Sequence, residues 1–408
     1  MAALKYWVWL QTLAGVALPL KLALLEHFAS PEEVYFAQEG DYLQVEGLRP
    51  EHAGLLMNKS LELSESVLAD CAREDLFVVT LDDALYPDRL RNIYDPPLLL
   101  YGKGRMPLFD EEVALAVVGT RKCTPYGLRM AEELGYSLSR QGAMIVSGMA
   151  KGIDSAASRG ALRSGRFTAA VLGGGVDVIY PAENRNLYED IAATGVLLSE
   201  YPPRTEPKGM HFPIRNRIIS GLTLGTVVVE APRDRSGALI TAHAALEQGK
   251  DVFAVPGPMD APMSGGCLQL IREGAGLVSR PWDILEEYLP RYPHKLRRDG
   301  ERLPPVPAGT GEAERPAAPA EQPEEKPTRR PRISLSDGTL PEEQALLLRH
   351  IPGDVPRLSD EIAEAAGLPI HKTLSALTML EISGYIEKSG ARSFLRTVDI
   401  TEGIEDEK

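Results

Sequence analysis

The sequence predicts an α/β fold, a parallel sheet with helices on both faces. Three observations predict it. From residue 112 to 288, short apolar runs alternate with helical patterns, which is how crossover-connected parallel strands read. The runs are nearly continuous rather than alternating, as in strands buried on both faces. Gly- and Ser-rich loops follow them, at the strand ends where such sheets bind ligands.

The elements follow in order. Residues 1–70 carry apolar positions at helical spacing, among them Trp7, Leu10, Leu13, Leu24, Leu25 and Phe28. Ser30 and Glu33 form a capping box for a further helix. The first turn, Ala14-Gly15-Val16-Ala17, lacks the second glycine of a Gly-x-Gly DNA-backbone hairpin, so a packing or interaction role is expected. Phe77–Thr80 reads as a strand. Asp95-Pro96-Pro97 and Leu98–Gly102 read as an extended lead-in docking on the edge of the main domain.

Val113–Val118 is the first buried strand, Gly119-Thr120-Arg121 its turn, and Pro125 the opening of a helix. Gly127 allows close helix–strand packing. Leu128, Ala131, Leu134 and Leu138 give the helix its face, and Gly142 ends it. Such a turn directs backbone N–H groups and a helix dipole at an anion, and Arg121 adds a forked cation. A plain crossover with Arg121 facing solvent accounts for the same residues. Further strands are expected at 144–146, 168–172, 196–198, 226–229 and 252–255, with a helix at 239–248.

From residue 289 to 338 the composition turns to Pro, Ala, Glu and Arg, which predicts a disordered linker. Residues 339–400 then read as three helices and a hairpin, a winged helix. Its first helix opens on a Thr339–Glu342 capping box, and the third begins near His371 and Lys372. That helix fits reading DNA or touching a protein.

Charge bounds the function. Net charge is −14, which argues against nucleic acid until its distribution is examined. Residues 1–111 carry 9 basic and 18 acidic side chains, residues 333–408 carry 7 and 14, and residues 112–332 carry 28 and 26. The acidity lies at the ends, leaving the middle free to hold a basic face. Cys71, Cys123 and Cys267 are widely spaced. That spacing suggests neither a zinc site nor a disulfide framework and fits a reducing cytoplasm. No apolar run is long enough for a membrane span.

The strongest chemical cluster is Lys208–Gly221, where Arg215 and Arg217 flank Asn216 behind Lys208, His211 and Phe212. Arginines grip phosphates and rings stack on unpaired bases. The bland alternative is that Arg215 and Arg217 pair with carboxylates inside the fold. Asp154 and Glu230 are read the same way, as groups that cap helices or bind loop N–H groups rather than acid–base catalysts.

Taken together, V-V-G-T-R-K-C-T-P-Y-G (117–127), S-G-M-A-K-G-I-D-S-A-A (147–157), L-G-G-G-V-D-V-I-Y-P-A-E-N (172–184), L-S-E-Y-P (198–202), F-P-I-R-N-R-I-I-S-G-L (212–222), R-S-G-A-L-I-T-A (235–242) and V-F-A-V-P-G (252–257) resemble the DNA-processing protein A family (DprA/Smf). The resemblance spans about residues 75–285. It implies an extended Rossmann-like core over 71–288, flanked by a small helical SAM-like domain over 1–70 and the winged helix. Such proteins bind single-stranded DNA, protect incoming DNA, dimerise and load RecA recombinase in natural transformation. They are not enzymes and need no cofactor or metal. Gly119, Thr120, Arg121, Ser147, Gly148, Lys151, Lys208, Arg215, Asn216 and Arg217 are thereby expected to form a phosphate pocket and basic track. Leu246, Leu268, Ile271 and Leu277 are expected in a homodimer contact overlapping the RecA surface. Thr120 stands where the family has Ser, and Ser158 where it has His.

The rival class is a nucleotide-processing enzyme of related Rossmann-like fold, carrying P-G-G-x-G-T-x-x-E. Val255-Pro256-Gly257-Pro258 and Gly225–Glu230 match it only in part.

Overall fold

The computed structural model describes residues 3–234, 236–298, 332–334, 340–352, 357–388 and 393–401, in two compact units, Met1–Ala308 and Gly309–Lys408.

The first unit opens with six helices: α1 Leu4–Thr12, α2 Leu18–His27, α3 Pro31–Phe36, α4 Glu39–Tyr42, α5 Pro50–Leu56 and α6 Glu62–Arg73. Ser30 caps α3 by accepting from the Glu33 N–H at 3.2 Å, while the Glu33 carboxylate takes the Ala29 N–H at 3.1 Å. The chain continues as β1 Phe77–Thr80, α7 Asp88–Arg91, β2 Leu99–Gly104, β3 Ala114–Val118, α8 Pro125–Arg140, β4 Met144–Ser147, α9 Ile153–Arg163 and β5 Thr168–Val171. Then come α10 Arg185–Thr194, β6 Val196–Ser199, α11 His211–Gly221, β7 Gly225–Val228, α12 Gly237–Glu247, β8 Asp251–Ala254, α13 Gly265–Arg272, β9 Gly276–Leu277 and α14 Trp282–Leu285.

These strands form one sheet in the order β1-β2-β6-β5-β4-β3-β7-β8-β9. It is parallel except where β2 pairs antiparallel with β1 and β6. The extended lead-in therefore does dock beside the parallel core. The helices of residues 4–73 do not close a core of their own. Trp7, Leu10, Leu24, Val34 and Tyr42 pack in one cluster with Leu99 and Tyr101 of β2 and Leu197 of β6.

Helix α8 buries Gly127, Ala131, Leu134 and Leu138, whereas Leu128 points outward and is 41% exposed. A 3.6-residue period admits either neighbour at that turn, and the glycine took the inner position. Two glycines set the α8–α9 approach. A Cβ on Gly135 would lie 2.1 Å from the Ala157 carbonyl, and one on Gly160 at 2.1 Å from that of Glu132.

The linker expectation changes at both ends. Tyr292 and Leu296 are buried in the core beneath α8, and Lys295 pairs with Glu112 at 2.6 Å. The composition shift at residue 289 thus precedes the end of the packed chain, because two apolar residues suffice to hold it down. Arg332–Ser334 forms strand β10. Residues 299–331, Arg235, Thr339 with its capping box, and the hairpin turn 389–392 lie outside the described residues.

The second unit has α15 Glu342–His350, β11 Arg357–Leu358, α16 Ser359–Ala366, α17 Ile370–Ile382, β12 Ile386–Lys388, β13 Ser393–Arg396 and β14 Asp399–Thr401. Strands β11, β13 and β12 make a small antiparallel sheet, and β10 pairs with β14. Leu347, Leu348, Ile362, Leu377, Leu380 and Phe394 form its core. Three helices and a wing are what the sequence predicted.

Candidate nucleic-acid interface

Strand order reverses between β3 and β7. From β3 the chain winds outward through β4, β5 and β6, then returns to lay β7 on the other side of β3. A crevice opens at such a point, outside the carboxyl ends of the strands. Here it is a cleft of about 530 Å³ walled by Gly119–Lys122 after β3, Pro232, Ser236 and Gly237 after β7, and the first turns of α11. That volume lies in the range of ligand sites.

The two loops are tied together by Glu230. Its carboxylate accepts from the Thr124 N–H at 2.8 Å and the Thr124 hydroxyl at 2.6 Å, and its carbonyl accepts from the Thr120 N–H at 2.8 Å. Thr124 in turn caps α8 by accepting from the Gly127 N–H at 3.2 Å. A Cβ on Gly127 would lie 2.2 Å from the Glu230 carboxylate, so that glycine makes room for an acid rather than for a strand. The anion held at the α8 N-terminus is therefore the protein's own. The bland reading of Glu230 is the structural one, and a helix-dipole phosphate site at this turn is corrected.

Asp154 is likewise occupied. It is buried at the start of α9 and accepts from the Gly148 N–H at 3.2 Å. Burial pushes its carboxyl above the usual range, opposed by the charges of Arg215 and Arg121. Ser147 is buried too, its hydroxyl donating to the Val117 carbonyl at 2.7 Å. Ser158, at the position where a histidine was expected, is buried and donates back to the Asp154 carbonyl at 3.0 Å.

The arginines divide sharply. Arg215 is 3% exposed and donates to the Gly148 carbonyl at 2.9 Å and to that of Val171. A Cβ on Gly148 would sit 2.5 Å from its guanidinium. Burial lowers its pKa to about 10, which leaves it charged at neutral pH. Arg217 pairs with Asp95 at 2.9 Å and with buried Glu200 at 2.7 Å, so it holds the proline-rich lead-in against α11. Neither faces solvent, and the expectation that both belong to a basic track is corrected. The ends of β4 and β5 and the carboxylates brought up from residues 95 and 200 claim them first. Asn216 donates to the Gly237 carbonyl at 3.2 Å and forms part of the cleft wall.

What faces the cleft is different. Arg121 is exposed and lies over the Phe212 ring, 4.8 Å from its centroid. Tyr180 stands beside Phe212, ring centroids 5.5 Å apart, and is 45% exposed. Lys122 and Lys208 are exposed, and exposed Lys151 pairs with Glu183. The sequence reading named Phe212 only as part of a cluster and passed over Tyr180. The available signal was a large ring in the loop that follows Gly173-Gly174-Gly175. Among the described residues, no group of three His, Cys, Asp or Glu side chains is placed to hold a metal. No helix among them is long and apolar enough to cross a membrane.

Residues 77–289 match the family described as DNA recombination-mediator protein A. The chain belongs to that family. Residues 313–391 match the DprA winged helix domain. The DNA processing protein DprA of Bacillus subtilis is 43% identical over 221 residues, covering 54% of this chain and 74% of that protein. Protein Smf of Escherichia coli is 35% identical over 345 residues, 84% of each chain. The X-ray structure of DprA from Streptococcus pneumoniae superposes with a TM-score of 0.62 at 38% identity, over 69% of this chain and 97% of that one. Family membership accounts for the Rossmann-like sheet and the winged helix together.

The residues expected in a self-contact lie on α12, α13 and β9, by the β8–β9 side of the sheet. Leu246 and Leu277 are 52% and 51% exposed; Leu268 and Ile271 are half-buried, Ile271 against the main core.

Proposed function

We propose that this protein binds single-stranded DNA in the cleft between β3 and β7 and, as a homodimer, delivers it to RecA recombinase. The observation that carries the binding reading is Arg121 lying exposed over Phe212, with Tyr180 alongside. A forked cation serves a phosphate and the rings serve an unpaired base. Duplex DNA keeps its bases stacked and offers such rings nothing. The test is fluorescence anisotropy with single- and double-stranded oligonucleotides across a salt series. Single strands should bind tighter, and their affinity should fall with salt as counterions are released. Equal affinity for duplex, or a flat salt response, would sink the reading.

The site is that of a binder. Its two buried carboxylates, Asp154 and Glu230, are each committed to loop N–H groups, which leaves neither as a free base. Nucleotide turnover abolished by Glu230→Gln would overturn this. The dimer is best tested with Leu246→Glu and Leu277→Glu together, since both side chains are about half exposed. A two-fold contact uses each twice, so light scattering should report a monomer with an unchanged circular dichroism spectrum.

A further inference from the structure

A second cluster of arginines and rings lies at the amino ends of the parallel strands, the side away from the cleft, where α8 and α9 end and β5 begins. A hollow of about 420 Å³ is lined there by Arg105, Leu162, Arg166, Phe167, Asp190 and Thr194. Arg105 is exposed and its guanidinium sits 5.5 Å from the Phe167 ring. This repeats the pairing of Arg121 with Phe212. Arg163, next in sequence to Leu162 of the hollow, and Arg140 lie 4.8 and 5.8 Å from the ring of Tyr136. Among the described residues Glu132 pairs with Arg163 at 2.7 Å, and Asp190 is the carboxylate in the lining of the hollow. The local excess is positive on a chain of net charge −14.

Arg140 and Arg163 occupy the last turns of their helices, where the dipole favours a cation without any ligand. That account does not reach the other two. Arg105 lies just after β2 and Arg166 in the loop before β5. Neither is in an ion pair among the described residues. Cations spaced between half-buried rings suit a single strand, whose phosphates and bases need both.

We infer that Arg105, Arg166 and Phe167 form a second contact for single-stranded DNA, reached by a strand that leaves the cleft and passes around the sheet. The strands between the two ends are four to five residues long, roughly 15 Å at their usual rise. A short oligonucleotide fills the cleft alone, while a longer one reaches both. This rests on the cleft reading above.

The experiment measures affinity for oligonucleotides of about six and about twenty nucleotides, lengths bracketing ordinary single-strand sites. Arg105→Ala with Arg166→Ala should weaken the longer strand on the order of ten-fold and leave the shorter unchanged. The slope of log affinity against log salt should fall by about 1.4 for the longer strand, two phosphates' worth. Arg105→Lys with Arg166→Lys should keep the slope, and Phe167→Ala should weaken binding without altering it. Wild-type protein carrying a photoreactive long strand should cross-link within residues 162–167, which holds even if a variant folds poorly. An unchanged affinity and slope in the folded double variant, or no cross-link there, overturns the second contact and leaves the cleft standing. Failure of wild type to bind either length overturns both.

Discussion

Arg121 and Arg215 approach the same ring, Phe212, at 4.8 and 5.9 Å, yet Arg121 is exposed and Arg215 is 3% exposed. The first sits on a loop with the cleft in front of it. The second sits on a helix whose inner face meets the carbonyl ends of β4 and β5, and it serves as their hydrogen-bond donor. Only the start of α11 departs from an ordinary surface helix: Met210 at its N-cap and Ile214 are 67% and 46% exposed while Arg215, Asn216 and Arg217 are buried, and Ile218 and Ile219 then pack inward as usual. A run of basic residues marks a binding face only when nothing inside the fold needs the charge.

The largest effect that separates these roles is on stability. Arg217→Ala leaves Glu200 buried without its partner, and breaking such a pair typically costs about 3–5 kcal/mol. The melting temperature should fall by roughly 10 °C. Arg215→Ala should also destabilise, since two carbonyls lose a charged donor. Arg121→Ala should not move it. Calorimetry on the three variants decides the matter. A melting temperature equally unchanged in all three would erase the distinction between buried and exposed arginines.

The next effect is on binding. Arg121→Ala removes a charge-assisted contact worth about 1.5–3 kcal/mol, a loss of roughly ten- to a hundred-fold in single-strand affinity with the fold intact. Phe212→Ala removes a stacking surface, about 1–3 kcal/mol per base. It also frees Arg121 from its ring, so the two losses should not add. A double-mutant cycle measured by anisotropy checks this. Strict additivity would mean that the ring and the guanidinium work on different nucleotides.

The sheet was legible because its signals are local. Apolar runs of three to six residues placed all six parallel strands expected between residues 113 and 255 to within a residue or two. The insertion of β2 between β1 and β6 was not legible, since pairing between residues a hundred apart leaves no periodicity. The site divides in the same way. Its loops could be read from glycines and serines. The fate of Arg217 depended on Asp95 and Glu200, one of them 122 positions away, and the anion at the start of α8 turned out to be Glu230, 106 positions from Thr124. Tyr180 was missed because a single ring behind a glycine run carries no periodicity, and its exposure shows only in the fold.

Lys208 supplies the smallest effect and the cleanest contrast with Arg217. Both stand in the same basic stretch. Lys208 is exposed, with no ion pair among the described residues, and its long stem leaves the ammonium free to follow a phosphate. Such a contact fixes no geometry, so Lys208→Ala should cost under about 1 kcal/mol and leave the melting temperature alone. Its signature is in the salt dependence. Removing one phosphate contact lowers the slope of log affinity against log salt by about 0.7 for a single strand, whatever the base sequence. Lys208→Arg should restore the slope, because the charge rather than the donor geometry is what counts there. A slope unchanged in Lys208→Ala would place the strand's path away from the start of α11, and would leave Arg121 and Lys122 as the exposed cations holding it at the cleft mouth.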